Sequence, residues 1–215
     1  MKRSLKKARL YLVLDTQVND YDQLMSILKS AVGGGIDIVQ LRDKMGSTRL
    51  ALKFLQDALR YLKRKIPLIV NDRVDWALAV GADGVHVGQD DLPLEATRKL
   101  VGSKMLVGTS CQTLEQARRA QRQGADYIGF GSVFKTFTKP ERSPMDAALM
   151  KRVASTIFIP VFFIGGIDHS SIADVCQRGG RRVALTRAIS LAKNVKVSAQ
   201  KLKQAIEQYP LKLRG

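Results

Sequence analysis

Short apolar, β-branched runs alternate with longer segments of helical period along the whole chain. The strand-like runs are ARLYLVLD (8–15), IDIVQLR (36–42), IPLIVND (66–72), GVHVG (84–88), MLVGTS (105–110), YIGFGSV (127–133), IPVFFIGG (159–166) and RRVALTR (181–187). Between them lie segments such as DYDQLMSILKSAV and TLEQARRAQRQG, whose apolar positions recur every three or four residues. A further helix is predicted over 188–208. Thr113 with Gln116 forms a capping-box signature before a helix that should stop at Gly124, and Ser170 or Ser171 can cap one that stops at Gly179. The strands alternate little, as expected when both faces of a parallel sheet are covered. Eight strand-then-helix units without a composition break predict an α/β fold, a single-domain (β/α)8 TIM barrel over 1–215, with basic extensions outside about 9–208. A doubly wound open sheet would carry a GxGxxG turn after the first strand, which is absent.

Composition narrows the classes. With 215 residues, 45% of them hydrophobic, the chain can bury one substantial core. It has neither a bilayer-length apolar run nor a secretory leader at MKRSLKKARL, so a cytoplasmic protein without membrane attachment is expected. Cys111 and Cys176 form no metal-binding motif and read as buried thiols. The net charge of +17 attracts polyanions, yet it is dispersed over helix exteriors and chain ends, and no nucleic-acid motif accompanies it. Specific nucleic-acid binding is therefore not expected.

In a barrel of this kind, function gathers at the C-terminal strand ends. Alternation along the second strand places Gln40, Arg42 and Lys44 on one face, toward the mouth. Two cations in an enclosed space need a partner, either an anionic ligand or Asp72. Asn71 and Asp72 end the third strand and Asp91 follows the fourth; two carboxylates beside cations suit Mg2+ shared with a phosphorylated substrate, or else helix caps and ion pairs. His86 shares inward parity with Gly84 and Gly88, as a core residue or a functional one. IGGI after the seventh strand and ALTR at the eighth offer backbone N–H groups to a phosphate. The long stretch GSVFKTFTKPERSP supplies Thr136, Thr138, Lys139 and Arg142, suited to closing over an anion. Together these groups imply two phosphorylated ligands, a diphosphate held through a metal and a monophosphate.

The ordered motifs QLRDK, NDRVDWALAVGADGVHVGQDDLP, VGTS, DYIGFGSVFKTFTK and PVFFIGGI resemble those of the thiamine phosphate synthase family, from about residue 9 to residue 190. The resemblance implies a transferase that condenses a hydroxymethylpyrimidine diphosphate with a thiazole phosphate, giving thiamine phosphate and diphosphate. It implies Mg2+ as cofactor and small-molecule substrates as partners, and it leaves the oligomeric state open. By the same resemblance Gln40, Arg42, Lys44, Asn71, Ser110 and Lys139 contact the pyrimidine diphosphate, with Arg42, Lys44, Ser110 and Lys139 in the catalytic role. Asp72 and Asp91 match the metal ligands. Thr136, Thr138, Gly166, Thr186 and Arg187 match the thiazole phosphate site, His86 lies at the pyrimidine end, and Leu41, Asp43 and Phe137 are carried over as substrate-binding positions within the motifs.

Three departures stand out. Gln112 occupies a position where the family often has His, and the thiazole tautomerases, a sister family and the alternative reading together with a catalytically impaired phosphate-binding barrel, use that His. Ser132 and Lys135 replace prolines of the sixth-strand loop. A run from Arg178 to Arg182, RGGRR, replaces Gly-Ala-Asp-Gly before the last strand and adds positive charge at the bottom of the barrel.

Overall fold

The computed structural model describes residues 2–135 and 144–211. Eight parallel strands close in chain order: β1 (Leu10–Asp15), β2 (Ile38–Arg42), β3 (Leu68–Asn71), β4 (Gly84–Val87), β5 (Leu106–Cys111), β6 (Tyr127–Phe130), β7 (Val161–Ile164) and β8 (Val183–Leu185). The expected barrel is observed. The helices are α1 (Lys2–Lys7), α2 (Tyr21–Gly33), α3 (Thr48–Leu62), α4 (Val74–Val80), α5 (Leu94–Val101), α6 (Leu114–Arg122), α7 (Ala147–Thr156), α8 (Ile172–Gln177), α9 (Arg187–Ser190) and α10 (Val195–Glu207). No helix among the described residues is long and apolar enough to cross a membrane.

Strand parity divides the apolar residues into two cores. One lies between sheet and helices and includes Leu12, Leu14, Val39 and Leu41 from the first two strands. The other fills the barrel: Tyr11, Ile38, Ile69, Leu106, Tyr127, Phe162 and Ala184 point inward, and Leu5 and Ala8 join them from below. The N-terminal segment, expected as a basic extension, therefore contributes a helix whose one large apolar side chain, Leu5, plugs the barrel.

The last unit also differs from expectation, because α9 and α10 replace one continuous helix. Asn194 restarts the chain by accepting the Val197 N–H at 3.0 Å, which makes it a stronger N-cap than a helix interior. The capping box on α6 forms as read, with Gln116 N donating to Thr113 Oγ1 and Thr113 N to Gln116 Oε1. At α8 the serines do not cap through their own side chains; Asp168 Oδ1 instead accepts the N–H groups of Ser170 and Ser171.

Gly108 shows how the interior admits large rings. It pairs with His86 on one side and Tyr127 on the other, and a Cβ there would lie 2.1 Å from the Tyr127 ring. Gly108→Ala should displace that ring and cost about 1–3 kcal/mol, measurable as a lower denaturation midpoint in urea.

Candidate active site

At the C-terminal ends of the strands a cavity of about 520 Å3 opens, lined from β2 by Gln40 and Arg42, from β3 to β5 by Asn71, His86 and Ser110, and from the β6 side by Gly131, Ser132 and Lys135. Gly165, Gly166 and Asp168 after β7, with Thr186 and Arg187 after β8, complete it. Ser132 and Lys135, two of the departures noted in the sequence, thus face the site. Gln112 is exposed and is not among the lining residues.

The β2 cations are already engaged. Arg42 Nη1 bonds Asp15 Oδ2 at 2.9 Å and Gln17 Oε1 at 2.8 Å, and Asp15 is 1% exposed. Lys44 bonds Asp72. Asp72 in turn shares a hydrogen bond with Asp91, so β3 and the β4 loop bring the two carboxyls together. Burial raises the Asp72 pKa, and the Asp91 carboxyl raises it further, while Lys44 opposes the shift. Asp72 reaches this position at φ 61, a left-handed conformation that Asp tolerates better than most residues. Asp91 is oriented by the Gly88 N–H at 2.8 Å.

Two adjoining carboxyls, one with its ionised form disfavoured, make a hard oxygen set deficient in positive charge. That donor set fits Mg2+, which takes one or two protein carboxylates and completes its shell with water and substrate phosphate. No group of three or more His, Cys, Asp or Glu suited to an all-protein site occurs among the described residues.

Inside the cavity floor a hydrogen-bonded chain runs across the barrel. The Tyr11 hydroxyl donates to Gln40 Oε1 at 3.1 Å, the two tyrosine hydroxyls meet at 2.9 Å, His86 Nδ1 lies 3.2 Å from Tyr127 Oη, and His86 Nε2 lies 3.0 Å from Ser110 Oγ. With the Tyr11 proton committed to Gln40, Tyr127 donates to Tyr11 and accepts from His86 Nδ1–H. Nε2 is then an acceptor for the Ser110 hydroxyl. Burial raises both phenol pKa values, so the tyrosines stay neutral. The chain leaves the Gln40 amide nitrogen as a donor and Ser110 Oγ as an acceptor for whatever enters. Tyr127→Phe removes the central hydroxyl and should cost about 1–3 kcal/mol in a urea titration, because two buried partners lose their bond.

The remaining expected positions divide. Leu41 packs outward in the sheet–helix core. Asp43 is 7% exposed and shapes the β2 loop, accepting from Thr16 Oγ1, Tyr21 Oη and the N–H groups of Met45 and Gly46. Both lie apart from the cavity lining. Thr136, Phe137, Thr138 and Lys139, like Arg142, lie outside the described residues. Tyr11, Asp15 and Tyr127 escaped the sequence reading, though the parity argument applied to β2 would have turned Tyr11, Val13 and Asp15 inward on β1. Neither cysteine suits a nucleophile: both are buried, and burial pushes the Cys111 thiol up to about 12.

A parallel eight-stranded barrel with cations, a carboxyl pair and paired glycines at its C-terminal mouth defines a small-molecule enzyme of the phosphate-handling kind. Residues 10–189 match the family model described as thiamine monophosphate synthase, and the chain belongs to that family. The thiamine-phosphate synthase of Ruminiclostridium cellulolyticum is 42% identical over 197 residues, covering 90% of this chain and 92% of that protein. That of Shouchella clausii is 39% identical over 210 residues, covering 95% and 99%. Among solved structures, thiamine phosphate pyrophosphorylase from Pyrococcus furiosus superposes with a TM-score of 0.85 at 29% identity, covering 96% of this chain and 98% of that one.

Proposed function

We propose that this chain joins 4-amino-2-methyl-5-hydroxymethylpyrimidine diphosphate to a thiazole phosphate, releasing diphosphate. The observation that carries this reading is the division of one mouth into two anion-suited sides. Arg42 lines the cavity from β2, and past the end of that strand Lys44 bonds Asp72 of the Asp72–Asp91 pair, while Gly165, Gly166 and Arg187 line the wall at β7 and β8.

Asp72 and Asp91 would hold Mg2+, which when bound neutralises charge on the diphosphate. Arg42 and Lys44 then serve the leaving group, and Lys139 is assigned the same role from its motif. The Gln40 donor and Ser110 acceptor suit the ring nitrogen and amino group of an aminopyrimidine, with His86 setting the Ser110 hydroxyl. In the reaction the bond between the exocyclic carbon and the diphosphate oxygen breaks with the electron pair leaving on oxygen. A carbon–nitrogen bond to the thiazole forms in its place. An electron-rich aminopyrimidine can carry the intermediate positive charge, so leaving-group stabilisation matters more than a general base. The phosphate of the thiazole fits the side lined by Gly166, Thr186 and Arg187; Gly166 stands at φ 66, and a Cβ there would lie 2.5 Å from the Lys135 carbonyl, so the glycine lets the loop after β6 pack closely beside this side.

Purified protein given both substrates and Mg2+ should release diphosphate in a coupled assay. Absence of product from folded protein defeats the proposal.

A further inference from the structure

Across the molecule from the mouth, a larger cavity of about 670 Å3 opens where β6, β7 and β8 begin. Lys6, Lys151, Arg178, Arg181 and Arg182 line it, against one carboxylate, Asp126, which Arg98 already binds at 2.5 Å. The RGGRR run that departs from the family pattern supplies three of the five cations.

Their positive charge is poorly compensated. Arg178 pairs with Asp174 at 2.7 Å. Arg181, Arg182 and the adjoining Arg9 form no ion pair with a carboxylate among the described residues; their guanidinium groups bond neutral carbonyls instead. Arg9 reaches the Arg181 and Tyr209 carbonyls at 3.1 and 2.8 Å, Arg181 reaches Pro210 O at 3.2 Å, and Arg182 reaches Lys6 O at 2.7 Å. The acids nearest Arg9, Asp37 and Glu207, are held by Lys203. Arg182 Nε is buried without a hydrogen-bond partner among the described residues. Burial and Arg9 draw the Arg182 pKa down to about 10, so the group still carries its charge at neutral pH. Arg181 also lies over the Tyr209 ring at 5.3 Å. A half-buried cluster of like charges in which only Arg178 has a carboxylate partner among the described residues is costly, and an anion in the adjoining cavity relieves that cost.

The other wall is apolar. Ile157, Phe158 and Ile159 follow α7, and Phe158 is 64% exposed beside the cations. Guanidinium groups select phosphate, and an exposed ring selects a flat apolar body. The volume matches a site for one small molecule, and the cations share one concavity, where a polynucleotide would need a stripe.

We propose that this cavity is a second ligand site, which takes a small phosphate monoester carrying an aromatic ring: the phosphate toward Arg181, Arg182 and Lys151, the ring against Phe158. The probe is adenosine monophosphate, titrated calorimetrically into the full chain at about 0.15 M salt, with adenosine and inorganic phosphate as separate arms. One saturable site is expected, at least about tenfold tighter for the monophosphate than for either fragment. Lys151→Glu should weaken it by about tenfold, and Arg42→Ala at the mouth should leave it unchanged. Lys151 makes no hydrogen bond or ion pair among the described residues, so its replacement does not threaten the fold, and an unaltered rate of diphosphate release confirms that. Arg181→Ala gives a second reading of the same site. Binding that survives both replacements, disappears in Arg42→Ala, or fails to saturate while a DNA oligonucleotide binds with a steep salt dependence would overturn the proposal.

Discussion

Asp91→Ala is expected to lower diphosphate release by about 1,000-fold or more, with the chain still folded by circular dichroism. The size of the effect follows from the donor set: no third His, Cys, Asp or Glu joins the two carboxyls among the described residues, and removing one leaves Asp72 beside Lys44. Asp91→Asn separates charge from geometry, because an amide oxygen can still accept the Gly88 N–H that now reaches Asp91 Oδ2. It should lose nearly as much activity while making the metal-free protein slightly more stable. The sign comes from linkage. Asp72 has its folded-state pKa raised, by burial first and then by Asp91, so the unfolded chain releases this proton at lower pH than the folded chain does. Stability without metal therefore falls as pH rises from the ordinary Asp range through the raised value, and is fully present below that window. Asp91→Asn should flatten this dependence, and added Mg2+ should reverse it by favouring the ionised pair. Urea titrations across that window, with and without Mg2+, provide the check. An Asp91→Ala enzyme that turns over at the parent rate removes Asp91 from the metal site.

How far the sequence could be read depended on the kind of force involved. Apolar runs and their spacing carried the barrel, because burial on both faces of a parallel strand leaves a continuous signature. Parity carried Gln40, Arg42 and His86 into the cavity lining, since a strand side chain has two directions to choose from. Contacts between distant segments left no such trace. Arg42 with Asp15 spans 27 residues and Tyr11 with Tyr127 spans 116, and no local pattern couples them. The first becomes visible once barrel closure is assumed, because β1 pairs with β2 in the register that sets Asp15 opposite Arg42. The split between α9 and α10 depended on one capping side chain, Asn194, within a segment otherwise suited to helix. The RGGRR run was legible as charge but not as a cavity, since the wall opposite it comes from α1 and from the residues after α7.

The Asp15–Arg42 pair allows the structural and catalytic contributions of one cation to be separated. Arg42→Met should cost about 3 kcal/mol of stability, because it strands a carboxylate that is 1% exposed. The Gln17 N–H, 3.0 Å from Asp15 Oδ1, remains and keeps the loss toward the lower end for a broken buried pair. Activity should fall by about 100-fold or more, since the guanidinium faces the mouth as well as Asp15. Adding Asp15→Asn removes the stranded charge, and the double variant should return to within about 1 kcal/mol of the parent. Its turnover should stay low. Asp15→Asn alone leaves Arg42 in place and should retain far more activity than Arg42→Met does. Urea midpoints and diphosphate release on the four proteins complete the cycle. If activity returned together with stability in the double variant, Arg42 would be a neutralising partner for Asp15 and nothing more, and the leaving-group role would pass to the remaining cations of the mouth. The expected separation instead makes Asp15 the group that holds Arg42 in position before substrate arrives, which lowers the ordering cost when a diphosphate binds.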